Sequence, residues 1–142
     1  MTWSERQEAR TGAEILVSVF FSEYRDHFNR LDGRGIARLW HAPSGVMEGT
    51  TVVWFDDAEE IRRNHIALCE RYRKTEFGSA DFSVLRVVNM GESASFAHVW
   101  WTLRRSDGSV WRKFGTGYHL LHLDDRTEIV LAVAHEGVGG EG

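Results

Sequence analysis

The chain is poor in residues that staple or punctuate a fold, with one cysteine, Cys69, and one proline, Pro43, among 142 residues. A lone cysteine closes no intramolecular disulfide, and without a second thiol there is no CxxC redox or zinc pair. Cys69 lies in a helical pattern and reads as a packing residue. Long apolar runs are missing too, since no stretch approaches the roughly 20 residues that cross a bilayer. The segment from Met1 to Glu14 lacks the basic-then-apolar order of a secretory leader. These absences lead us to expect a cytoplasmic chain with no membrane association. Positive charge is not in excess: 17 Lys and Arg face 21 Asp and Glu, for a net charge of −4. With no Lys/Arg stripe there is no footprint for a phosphate backbone, and nucleic acid is not expected as a partner.

Aromatic residues, by contrast, are abundant, with six Trp and eight Phe, and this load calls for a large core, an interface or a pocket lining. The length suits one domain, and neither an internal repeat nor a linker interrupts it. We expect a single domain over 1–142, frayed at 1–10 and at the glycine-rich 137–142.

The hydrophobic period divides the chain in two. Thr11 and Glu14 have the spacing of a capping box, which starts a first helix there. Ile15, Leu16, Val19, Phe20, Tyr24, His27, Phe28 and Leu31 follow at steps of three and four. A short second helix is expected over Gly35 to Trp40, ended by Pro43. Val46 to Glu48 and Thr51 to Phe55 read as short strands. Asp56 or Asp57 then caps a third helix carrying Ala58, Ile61, His65, Leu68 and Tyr72. After Gly78 the period becomes two. Ala80 to Asn89, Ser93 to Arg105, Ser109 to Leu123 and Thr127 to Glu136 are long β runs joined by short turns. Helices first and an antiparallel meander afterwards define an α+β fold.

Asp107-Gly108 is the clearest hairpin signal, and a two-residue turn there sets Ser106 opposite Ser109. Counting back places Trp100 opposite Gly115, His98 opposite Gly117 and Phe96 opposite His119, all on one face. The other face carries Val99, Trp101 and Leu103 against Phe114, Thr116 and Tyr118. Both faces are apolar. Helices can cover one, and a second copy of the chain is the economical cover for the other.

The order of two helices, a strand pair, a helix and four long antiparallel strands resembles the nuclear transport factor 2-like superfamily, with its SnoaL-like polyketide cyclases, scytalone dehydratases and ketosteroid isomerases. The stretch from Tyr24 through Gly35-Ile36-Ala37-Arg38-Leu39-Trp40 to Val46-Met47-Glu48-Gly49 is similar to the isomerase segment joining an oxyanion-hole tyrosine to an aspartate base. Tyr118-His119-Leu120-Leu121-His122-Leu123-Asp124 is similar to the isomerase strand that bears a second, protonated aspartate.

The resemblance implies N-terminal helices on a strongly curved antiparallel or mixed sheet, a cone with an internal pocket. It also implies a catalytic group of Glu48 as base, Tyr24 as oxyanion donor and His119 in place of the second aspartate. That group would abstract a proton next to a carbonyl and stabilise the charge that develops on oxygen. Glutamate and histidine depart from the isomerase pattern and lie closer to the carboxylate-histidine pairs of cyclases and dehydratases.

His65, Phe96, His98, Trp100 and His135 are further candidates for lining the pocket. The seven histidines show no HxH, HxxxH or HExxH spacing, and His119 and His122 fall on opposite faces of a strand, so no metal and no cofactor are expected. Gly115-Thr116-Gly117 lies within a strand and is not a phosphate loop. The expected function is binding of a small hydrophobic carbonyl compound, with isomerase, cyclase or dehydratase chemistry. A non-catalytic carrier or sensor, or a protein-interaction module using the sheet face, are the alternatives.

Overall fold

The computed structural model describes the backbone of residues 3–136 and the side chains of 12–136. The segment 137–142, expected to fray, lies outside the described residues. The elements are α1 (Trp3–Asn29), α2 (Gly33–Ala37), β1 (Trp40–Glu48), β2 (Thr51–Phe55), α3 (Ala58–Arg73), β3 (Phe77–Asn89), β4 (Ala94–Arg105), β5 (Val110–His122) and β6 (Thr127–His135). The fold is α+β. Its six strands form one open mixed sheet in the order β2-β1-β6-β5-β4-β3, in which only the β1–β6 pair is parallel.

The first helix departs from expectation in two ways. It begins at Trp3, upstream of Thr11, so the capping-box spacing does not mark its start. Glu5 to Arg10 contains no glycine, proline or β-branched residue to stop a helix. Its buried line is Val17, Phe20, Phe21, Tyr24 and Phe28, whereas Ile15, Leu16 and Val19 are exposed. Two apolar stripes at helical spacing overlap along this segment, and the sheet covers the one carrying the larger rings.

The second helix is shorter and earlier than its sequence pattern suggests. Asp32 caps it, its carboxylate accepting from Gly35 N at 3.0 Å. Trp40 opens β1 instead of ending the helix, and Pro43 lies inside β1. The β1–β6 register shifts between Trp40 and Gly45, where a residue without an N–H is tolerated. Asp57 caps α3 through Glu60 N at 2.9 Å, as its position in the sequence indicates.

In the β4–β5 hairpin, Trp100 faces Gly115, His98 faces Gly117 and Phe96 faces His119, all as counted from the sequence. The turn itself differs. Arg105 N bonds to Ser109 O at 2.8 Å, giving a three-residue loop. The one-residue slip is cancelled by a bulge, because Arg104 pairs with Val110 and Leu103 with Arg112, leaving Trp111 between them.

The core lies between the helices and the inner sheet face. Phe21, fully buried, meets Tyr118 at 4.6 Å between ring centroids and Phe20 at 5.0 Å. Trp101 Nε1 donates to Tyr118 Oη at 2.9 Å, so these two polar groups of the cluster are paired.

Candidate functional site

A cavity of about 260 Å³ opens between the inner sheet face and the helices. Tyr24 of α1, Trp40 of β1 and His65 of α3 bring it polar atoms, while Phe28, Leu68 and Leu103 contribute to an otherwise mainly apolar wall. Gly33 fixes the position of His65. A Cβ at residue 33 would lie 2.7 Å from the His65 carbonyl oxygen and the Ile66 Cα, so only glycine lets α2 seat against that turn of α3.

His65 is buried, and its ring lies 5.1 Å from that of Trp40. Its Nδ1 is 2.9 Å from the Ile61 carbonyl oxygen. A carbonyl can only accept, so Nδ1 carries the proton and Nε2 of the neutral ring is left with a free lone pair. Burial lowers the His65 pKa, against the bond to Ile61, and keeps the ring neutral at physiological pH.

Tyr24 has the opposite character. Burial holds its phenol well above the ordinary range, and Tyr118 adds to the shift. The nearby Trp40 indole N–H opposes it. Tyr24 is therefore a permanent O–H donor and no base. Trp40 Nε1 is buried and has no hydrogen-bond partner, and a buried unpaired donor costs roughly 1–3 kcal/mol. Two donors, Tyr24 and Trp40, and one acceptor, His65 Nε2, thus line one small apolar space. Such a set can polarise a carbonyl oxygen and take up a proton beside it.

The structure does not bring Glu48, Tyr24 and His119 together. Glu48 is exposed at the end of β1 and lines an outer groove of about 600 Å³ with Arg112 and His135. That groove shares Tyr72, Phe114 and Ala134 with the cavity, which places Glu48 at the mouth. His119 is exposed on the outer sheet face, where its ring meets Phe96 at 5.3 Å. Of the other candidates only His65 lines the cavity. Phe96, His98, Trp100 and His135 belong to the outer face, because the inner one is taken by Val99, Trp101, Leu103, Thr116 and Tyr118.

On that outer face His98 Nε2 and His135 Nε2 are 2.8 Å apart. At that distance one ring donates to the other. Burial, and then His135, lowers the His98 pKa. Among the described residues no group of three or more His, Cys, Asp or Glu is placed to hold a metal ion. Trp40 is the site residue that the sequence reading missed. The available signal was an indole N–H next to a strand that would need a partner once buried.

N-terminal helices on a six-stranded mixed sheet, with a cavity between the two, agree with the fold of nuclear transport factor 2-like proteins. Residues 13–137 match the family described as NTF2-like protein (DUF6841), and the chain belongs to that family. A comparison with curated proteins finds no match.

Solved structures agree on the fold. A domain of unknown function with a cystatin-like fold from Nostoc punctiforme has a TM-score of 0.70 at 14% identity, covering 99% of this chain and 82% of its own. An NTF-2 like protein of unknown function from Shewanella oneidensis has a TM-score of 0.67 at 14% identity, covering 83% and 94%. A ketosteroid isomerase-like protein from Erwinia carotovora has a TM-score of 0.64 at 13% identity, covering 84% and 92%.

Proposed function

We propose that the chain binds a compact, largely apolar carbonyl compound in the inner cavity and acts on it by acid-base chemistry, as an isomerase, cyclase or dehydratase without a cofactor. The observation that carries this reading is the unpartnered Trp40 Nε1 in one largely apolar space with the Tyr24 hydroxyl and the lone pair of His65 Nε2. Two neutral donors serve the substrate oxygen. His65 Nε2 takes the proton from the neighbouring carbon, and its ring, neutral beforehand, returns that proton later. Glu48 at the mouth is within reach of a substrate that extends outwards.

Size narrows the substrate. A cavity of roughly 150 Å³ accommodates benzene, so about 260 Å³ suits a one- or two-ring compound. A four-ring steroid would have to protrude through the mouth.

A second copy of the chain is the proposed cover for the outer face. Val52 and Trp54 there are 62% and 52% exposed, and Met47, Leu131 and Val133 are only half-buried beside them. No helix among the described residues is long and apolar enough to cross a membrane, and the lone thiol suits the cytoplasm, where we place the protein.

The test is binding and turnover of bicyclic ketones such as 2-tetralone, followed by deuterium exchange at the carbon beside the carbonyl. His65→Gln should slow exchange by about 10²-fold, and Tyr24→Phe should weaken polarisation with the cavity intact. Equal exchange in wild type and His65→Gln would remove the base. Ligand binding without exchange in the wild type would leave a carrier.

A further inference from the structure

A second concavity, of about 500 Å³, lies on the other side of Trp40. Arg34, Arg38, Arg62 and Arg126 line it with His41 and a single carboxylate, Glu128, over small residues that include Ala37 and Ala58. In a chain of net charge −4 this is a local reversal of sign.

Pairing divides the four guanidinium groups. Arg62 is bound by Glu59, and Arg126 is held by Glu128 at 2.8 Å and Asp125 at 3.1 Å. Arg34 and Arg38 have no salt-bridge partner among the described residues. Asp32, whose charge acts on His27, Arg38 and Arg30 together, forms no ion pair with Arg38 and accepts from Gly35 N at 3.0 Å. The two stand four residues apart, one on α2 and one at its cap, and so share a side. Like charges at that spacing repel each other, and an anion between them would relieve the repulsion.

We propose that this groove is a binding site for a phosphorylated small molecule, clamped by Arg34 and Arg38 with Arg62 and Arg126 at its rim. Arginine forks match phosphate oxygens two at a time. Two unpaired guanidinium groups balance a dianion, whereas one carboxylate would leave half of that charge unmet. The concavity, about 500 Å³ over Ala37 and Ala58, has the size of a site for one small ligand. Glu128 does not repel the ligand, because Arg126 already neutralises it. The site is independent of the carbonyl chemistry proposed for the inner cavity, although Trp40 forms a wall of both.

Calorimetric titration of the full chain at low ionic strength, with sodium pyrophosphate and separately with adenosine 5′-monophosphate, tests the proposal. Saturable binding is expected for at least one of them, with an affinity in the millimolar range or tighter. Arg34→Gln/Arg38→Gln should weaken it roughly tenfold or more, with an unliganded melting temperature like that of the wild type, since both side chains are exposed.

Lys113→Gln, elsewhere on the surface, should leave the affinity unchanged, and so should His65→Gln. Tighter nucleotide binding points to an organic phosphate ester, and tighter pyrophosphate binding to a free polyphosphate. The proposal is overturned if neither anion saturates the protein. It is also overturned if the double substitution keeps wild-type affinity, or if Lys113→Gln loses as much as the double substitution does.

Discussion

The two faces of the sheet are built from the same residue types and differ in what lies over them. On the inner face Val99, Trp101, Leu103 and Tyr118 are at most 4% exposed, and the Trp101–Tyr118 hydrogen bond satisfies the polar atoms of the cluster. On the outer face the rings lie flat on the sheet and meet no helix. Phe96 rests over Gly117, and His135 rests over Gly115. The inner face has depth, so it can hold a cavity. Apolar alternation therefore says that a strand has two surfaces to cover, and the helices that lie over one of them decide which face encloses a cavity.

The largest contrast between the faces should come from Phe21→Ala. Phe21 is fully buried, and its truncation should cost about 3–5 kcal/mol in urea unfolding, enough to leave much of the chain unfolded. Equal stability of this variant and an outer-face truncation would erase the distinction drawn here. Next comes Gly115→Val, whose side chain would collide with the His135 ring. The ring can swing outwards, so a loss of about 1–3 kcal/mol is expected, together with loss of the His98–His135 hydrogen bond seen by imidazole NMR.

Acid should act on both faces, but more strongly through the inner one. Burial lowers the pKa of His65, His98 and His122. Each is neutral when folded, and the unfolded chain binds the extra proton. Their contribution is therefore fully present above the ordinary histidine value of about 6.5 and declines as pH falls from there towards the lowered folded values. Urea midpoints measured from pH 7.5 down to 5 should fall. His65→Gln should flatten that fall more than His98→Gln does, since His65 is the more deeply buried. The smallest effect on folding is expected from Trp54→Lys, within about 0.5 kcal/mol, although light scattering should show the proposed dimer reduced to monomer. A monomeric wild type would leave the outer face without its second copy.

How far the sequence reveals the molecule varies with how local the determining forces are. The β4–β5 register follows from Asp107-Gly108 because a turn and a period of two are short-range facts, and even the slipped turn is absorbed by the Trp111 bulge. The stripe on α1 is less legible. Ile15 and Val19 have the same four-residue spacing as Val17 and Phe21, and only the sheet chooses between them.

At the site, Tyr24 and His65 stand out as polar residues within apolar helical stripes. The parity of β5 puts His119 and Tyr118 on opposite faces, yet with both faces apolar nothing local tells which one looks inwards. Trp40 was obscured because its end of β1 lies beyond the pairing with β2 and is held by Ile129 of β6, far along the chain.

That parallel pair also imposes an order of events on the newly made chain. Trp40 and Val46 on β1 and Ala132 and Ala134 on β6 wall the same cavity, so the site cannot exist until the last strand of the sheet has arrived. Closing so long a loop carries an entropic cost that local hairpins avoid, and contacts of that span form late. The β3–β4–β5 meander and the β1–β2 hairpin rest on local pairings, whereas the β1–β6 pair must bring the two together. A ligand in the cavity would then bear on the slowest closure of the fold, and losing β6 would abolish binding while leaving most of the sheet able to form.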